Sequence, residues 1–148
     1  MLEQEINQEI KAAMLSKNEA RLRGLRAIKA ALLLAKTEKG ASEEITEDTE
    51  IKVLQKLAKQ RRESAEIYKT QSRDDLYTIE IEELDVIEGF LPKQLSADEV
   101  QVQIKAIIES SGANSIKDMG KVMGLANKQL AGKADGKMIS EIVKQLLS

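Results

Sequence analysis

Glu19-Ala-Arg-Leu-Arg-Gly-Leu-Arg-Ala-Ile-Lys-Ala-Ala-Leu-Leu-Leu-Ala-Lys-Thr-Glu-Lys39 carries Leu22, Leu25, Ile28 and Leu32 at steps of three and four, with charged residues between them. At about 100° per residue those four side chains share one face, so the stretch reads as an amphipathic helix, and Gly40 suits the position just past its end. The same period recurs on both sides. Upstream, Leu2, Ile6, Ile10 and Met14 predict a helix to about Ser16. Downstream, a helix starting near Thr46 or Asp48 carries Ile51, Leu54, Leu57, Ala58, Ala65 and Tyr68. Ser72 to Asp75 reads as the capping start of a fourth, with Leu76, Ile79, Leu84 and Ile87 inside it, ending before Phe90-Leu91-Pro92. Residues 40–47 read as the mobile loop between the second and third helices.

Pro92 breaks the chain, because the residue before a proline avoids the α-region. We expect a bundle of about four helices over residues 1–95 and a three-helix tail domain over 96–148. In the tail, Ser96-Ala-Asp-Glu99 is a capping box for a helix with Val100, Ile104, Ile107 and Ile108, stopped at Gly112. Ser115 opens the next, which runs to Gly132, and Asp135 caps the last, with Met138, Ile142, Val143 and Leu146 inside. The predicted fold class is all-α.

Composition agrees. Aromatics make up 2% of the 148 residues and hydrophobics 42%, so the core is built from aliphatic side chains and Met, a palette that favours packed helices over a β-sandwich. No run approaches the roughly 20 apolar residues needed to cross a bilayer, and Met-Leu-Glu-Gln-Glu is an acidic start, so a cytoplasmic protein without membrane attachment is expected. Zero Cys and zero His exclude disulfides, thiolate metal sites and Ser-His-Asp or zinc-hydrolase chemistry by this chain alone. No metal and no cofactor is expected.

The charge is unevenly spread. A net charge of −2 argues against an indiscriminate nucleic-acid coat, yet from Lys117 to Lys137 five lysines face only Asp118 and Asp135. On a helical projection Ile116, Met119, Val122, Met123, Ala126 and Leu130 share an apolar face, and Lys117, Lys121 and Lys128 line the opposite one with Gly124 among them. A glycine inside an exposed helix costs about 1 kcal/mol relative to alanine, so a backbone, RNA or protein, that approaches closely would explain the missing side chains. The plain alternative is a solvated lysine face. Gly132-Lys133-Ala134-Asp135-Gly136 reads as a tight turn flanked by Lys133 and Lys137, because an Asp135 N-cap would occupy the N–H groups that a phosphate needs.

A second feature is charge on faces that should be apolar. Leu54, Arg61 and Tyr68 recur every seven residues, and Glu80 and Glu83 fall between Leu76, Ile79, Leu84 and Ile87. An unpaired Arg among apolar neighbours is too costly to persist, so Arg61 is expected to pair with Glu80 or Glu83, with Arg26 or Lys29 of the second helix able to join. The network can be architectural, or the two carboxylates can serve as acid and base. Asp74 and Asp75 read as first-turn carboxylates facing the helix dipole, with magnesium binding as the alternative.

These residues fall into a pattern. Leu25-Arg26-Ala27-Ile28-Lys29-Ala30-Ala31, Lys59-Gln60-Arg61-Arg62-Glu63-Ser64 with Tyr68, Arg73-Asp74-Asp75-Leu76 followed by Glu80 and Glu83, Phe90-Leu91-Pro92-Lys93-Gln94-Leu95, Met119-Gly120-Lys121-Val122-Met123-Gly124 and Gly132-Lys133-Ala134-Asp135-Gly136 occur in that order. With them the chain resembles, over nearly its whole length, the YqeY-like (GatB/YqeY) family, related to the tail region of the B subunit of the glutamyl/aspartyl-tRNA amidotransferase and to a module of some glutaminyl-tRNA synthetases. Lys133 stands where the family often has Arg, which weakens the case for bidentate phosphate recognition at that position.

The resemblance implies a helical bundle followed by a small tail that helps hold tRNA, with the chemistry done elsewhere. The expected function is a non-catalytic tRNA-associated accessory module contacting RNA backbone through Lys117, Lys121, Gly124, Lys128, Lys133 and Lys137. The partners implied are tRNA and an amidotransferase or aminoacyl-tRNA synthetase component. The alternatives are a protein-interaction module in which Gly120 and Gly124 admit a partner's helix, and, by kinship, a carbon-nitrogen ligase with glutamine as amido-N-donor using Glu80 and Glu83.

Overall fold

The computed structural model describes residues 2–38 and 44–148, and among them every regular element is helical. The helices are α1 (Leu2–Leu15), α2 (Glu19–Glu38), α3 (Glu47–Thr70), α4 (Asp74–Glu88), α5 (Ala97–Ser111), α6 (Met119–Gln129) and α7 (Gly136–Leu147), with one 3₁₀ turn at Ile116–Asp118 before α6. The all-α expectation holds. The proposed Gly40 cap and the loop segment 40–43 lie outside the described residues.

Met1–Leu91 and Pro92–Ser148 form separate compact units. The division therefore falls at Pro92 itself, and residues 92–95, grouped above with the bundle, belong with the tail. The reason is hydrogen bonding: the Leu95 N–H donates to the Lys133 carbonyl at 2.9 Å, and the Gln94 side-chain amide donates to the carbonyls of Pro92 at 2.8 Å and Gly132 at 2.7 Å.

In the first unit the core contains Ile6, Leu25, Ile28, Leu32, Leu54, Leu57, Ala58, Leu84 and Ile87, drawn from all four helices. Both of its described hairpin turns close alike. Lys17 (φ 56°) and Ser72 (φ 57°) take the left-handed conformation, and the next residue's N–H reaches back to Ala13 O at 3.0 Å and Tyr68 O at 2.8 Å respectively. That is the six-to-one bond of a Schellman ending, made here without glycine. Ser72 thus ends α3 rather than starting α4, whose N-cap is Arg73 with no side-chain capping bond. Ile79, placed above on the buried arc, is 37% exposed.

The second unit is built around Val100, Ile104, Ile107, Val122, Ala126, Leu130, Ile139, Val143 and Leu147. Its punctuation follows the sequence closely. Ser96 and Glu99 form the reciprocal capping box, Gly112 ends α5 at φ 73°, and the Asp135 side chain accepts from the Lys137 N–H at the start of α7. The ridge helix differs. Ser115–Asp118 makes a tight 3₁₀ turn, closed where the Asp118 carboxylate accepts from the Asn114 N–H at 3.1 Å, and the α-helix ends at Gln129, short of Gly132. A 3₁₀ turn advances about 120° per residue, so Ile116 drifts out of phase with the α6 face and is 47% exposed rather than buried.

Candidate functional site

On α6, Val122, Ala126 and Leu130 are buried and Met119 and Met123 pack against the same core, which fixes the helix about its axis. The opposite face then points outward. Gly120, Lys121, Gly124, Leu125 and Lys128 are all exposed, as is Lys117 on the 3₁₀ turn. A Cβ built on Gly120 or Gly124 meets nothing within 4 Å. Internal packing therefore gives no reason for either glycine, and the bare strip lies beside the lysines as the sequence placed it. Lys121 and Lys128 stand two turns apart, about 10 Å along the axis.

One of these lysines makes an internal bond. The Lys121 ammonium donates to the Ser111 carbonyl at 3.2 Å, at the C-terminal end of α5, where a cation meets the negative end of the helix dipole. Leu125 and Ile116, 42% and 47% exposed, add apolar surface beside the glycines.

Lys133 and Lys137 are exposed on either side of the turn into α7, which Gly132 enters at φ 75°. Asp135 is the N-cap between them, so its carboxylate faces the helix start, as the sequence predicted.

In the bundle, Arg61 Nε lies 2.7 Å from Glu83 Oε2 and 3.8 Å from Glu80 Oε2. All three side chains are mostly covered, Arg61 retaining 23% exposure and the carboxylates about 15%. The expected pairing is present, yet Arg61 Nε and Glu80 Oε2 are buried without an aligned hydrogen bond. Burial raises the Glu80 carboxyl above its ordinary value, Arg61 opposes the rise, and neighbouring Glu83 adds to it.

The α2 contribution needs correction. Arg26 is exposed and makes no ion pair among the described residues, and Lys29 instead lines a cleft with Glu3, Glu44 and Glu50. Arg23 is the member that joins, with Nη2 2.6 Å from Glu82 and Nε 3.9 Å from Glu83. Three residues on, Arg26 is turned about 60° round the helix and a turn further along, away from α4. Arg23 was the residue missed. Its signal was the short step to Gly24, which lets α2 approach α4 closely.

Asp75 is held by Arg73, whose Nε and Nη2 donate to its two oxygens at 3.2 and 3.1 Å. That bond keeps its carboxyl below the usual range. No group of three His, Asp or Glu side chains suited to a metal occurs among the described residues.

Together these features define a small two-unit helical protein: a bundle stitched by an arginine-carboxylate network, and a tail whose open helix face is cationic. Residues 3–147 match the family described as Yqey-like protein, and the chain belongs to the YqeY-like family. It is also similar to Altered inheritance of mitochondria protein 41, mitochondrial, of Pyrenophora tritici-repentis, with 28% identity over 142 residues, spanning 94% of this chain and 77% of that protein.

Proposed function

We propose that this chain is a non-catalytic accessory module that holds tRNA through the phosphate backbone, using the open face of α6 with Lys117, Lys121 and Lys128, and Lys133 and Lys137 at the following turn. One observation carries this reading: Gly120 and Gly124 have free space where a side chain would stand, on the face that displays the lysines. A bare helix surface lets a ribose-phosphate strand come close while ammonium groups neutralise it. The tail contains no Phe, Tyr or Trp, so it is suited to folded RNA read by shape and backbone rather than to single strands held by stacking.

A second reading rests on Leu125 and Ile116. Their exposed apolar surface beside the two glycines suits a helix of an amidotransferase or synthetase component. Titration of a tRNA transcript against the full chain at several salt concentrations separates the two. Steeply salt-dependent binding supports RNA, and binding of a protein component that survives nuclease treatment supports the second.

A ligase role for Glu80 and Glu83 is the least supported, because Arg61 already engages both carboxylates. No described helix is long and apolar enough to cross a membrane. The cytoplasm, and the mitochondrion in the relative's name, are both compartments in which a tRNA partner is found.

A further inference from the structure

Lys93 and Lys133 are 40 positions apart in the chain, and a backbone clip brings them together. The segment 92–95 runs without regular secondary structure past the turn between α6 and α7. There the Leu95 N–H donates to the Lys133 carbonyl at 2.9 Å, and Gln94 Nε2 donates to Gly132 O at 2.7 Å and to Pro92 O at 2.8 Å. Leu95 packs against the core of the tail and so anchors the clip from beneath. Lys93 is two residues from Leu95, so at most about 7 Å of chain separates it from the residue bonded to Lys133.

Lys93, Lys133 and Lys137 are all exposed, and none makes an ion pair among the described residues. The acid nearest Lys133 and Lys137 in sequence, Asp135, turns its carboxylate to the Lys137 N–H at 3.3 Å, and of the two nearest Lys93, Glu88 is paired with Arg62 and Asp98 lies in the first turn of α5. Three exposed lysines are thus carried by one turn and the segment clipped to it, with no ion-pair partner among the described residues.

We propose that Lys93, with Lys133 and Lys137, forms a second phosphate-contacting cluster on the tail, separate from the α6 face, and that Gln94 is its positioning residue. This rests on the tRNA reading above and extends it: the RNA backbone is held at two places on one unit, and the segment after Pro92 is part of the binding surface rather than a linker. Gln94 acts through geometry. With its amide spanning two carbonyls, it fixes the segment carrying Lys93 against the turn carrying Lys133. Without it, the segment carrying Lys93 is held only through Leu95, by its backbone bond to Lys133 and its packing on the core.

The test uses the full chain and a tRNA transcript, with affinity measured across a salt series for the wild type, Lys93→Gln, Gln94→Ala, the double variant and Lys128→Glu. Loss of the Lys93 contact lowers affinity several-fold at low salt and reduces the slope of log affinity against log salt by about 0.9. Gln94→Ala weakens binding when Lys93 is present and adds nothing in the Lys93→Gln background. Lys93 is exposed, so its variant keeps the fold even if Gln94→Ala loosens the turn. Wild-type affinity and slope in Lys93→Gln, alongside weakened binding by Lys128→Glu, overturns this cluster and leaves the α6 reading standing. Independent, additive losses for Lys93→Gln and Gln94→Ala overturn the positioning role. A wild-type chain that binds no tRNA at low salt removes both.

Discussion

Gly24 of α2 faces Val86 of α4 so closely that a Cβ built on the glycine stands 2.7 Å from the Val86 Cβ and 2.9 Å from its Cγ1. No ordinary contact is that short, so the two helices pack at a distance only glycine permits. The close approach also brings Arg23, the preceding residue, to Glu82 and Glu83. Gly24→Ala should destabilise the bundle by about 1 to 3 kcal/mol, the usual cost of overpacking a well-filled site, despite alanine's better helix propensity. Urea unfolding measures it. Adding Val86→Ala should restore only part of the loss, because it removes the two Cγ contacts and keeps the Cβ at 2.7 Å.

The Arg61 network predicts unequal roles for its two carboxylates. Glu83 is the close partner at 2.7 Å, so Glu83→Gln should cost about 1 to 3 kcal/mol, between the values for exposed and fully buried pairs. Arg61→Ala should cost at least as much, since it leaves Glu80 and Glu83 facing each other in a covered site. Glu80→Gln should leave stability unchanged or raise it at neutral pH. Its folded carboxyl is raised, mainly by burial, so folding binds protons between the unfolded value near 4.5 and the raised value, and stability falls as pH rises through that window. The advantage of Glu80→Gln over the wild type should therefore be largest at pH 7 and shrink as pH falls into the window. Glu50 is raised by burial too, so the difference between variant and wild type, not the wild-type curve alone, is the measurement. A Glu80→Gln protein much less stable than wild type at pH 7 would contradict the assignment.

Local signals were the legible ones. The capping box at Ser96, the left-handed Gly112 and the Asp135 cap each depend on a few neighbouring residues, and all three stand where the sequence put them. Periodicity likewise placed Leu25, Ile28, Leu54 and Ile87 in the core. What depended on a partner helix was less legible. Arg26 and Arg23 both lie on the charged side of α2, and only the approach of α4 at Gly24 selects Arg23. The lysine face of α6 was readable because its buried side is unambiguous. Ile116 was not, since the 3₁₀ turn changes the angle between residues. The clip from Gln94 and Leu95 to the 132–133 turn has no periodic signature and emerges only from the folded backbone.

Ser72 offers a test of local strain. A non-glycine residue in the left-handed region costs about 1 kcal/mol, and the Schellman bonds at the α3–α4 turn hold Ser72 there. Ser72→Gly should therefore stabilise the protein by about 0.5 to 1 kcal/mol, seen as a higher urea midpoint with an unchanged slope.

Gly124 separates folding from function. A Cβ there meets nothing, and glycine inside a helix is about 1 kcal/mol worse than alanine, so Gly124→Ala should raise the stability of the tail by roughly that amount. If the bare strip admits an RNA strand, the same change should weaken tRNA binding while every lysine remains. A variant that is more stable and binds equally well would mean that the glycine serves neither the fold nor the contact.

Lys128 is the cleaner probe of the cationic face. Lys121 also holds the Ser111 carbonyl at the end of α5, so Lys121→Glu would set a carboxylate against the negative pole of that helix, at a cost of about 0.3 to 1 kcal/mol, and confuse lost binding with a weakened tail. Lys128 is exposed, makes no ion pair among the described residues, and lies within the last turn of α6. Lys128→Gln should flatten the salt dependence of tRNA binding by about 0.9 in slope with little change in melting temperature, and Lys128→Glu should weaken binding further through repulsion, at a stability cost of about 0.3 to 1 kcal/mol because it sets a carboxylate in the last turn of α6. Because a phosphate contact carries no sequence information, the loss should be the same for different tRNA transcripts. A loss confined to one tRNA would place Lys128 against a base edge, and no loss in any would remove α6 from the binding surface.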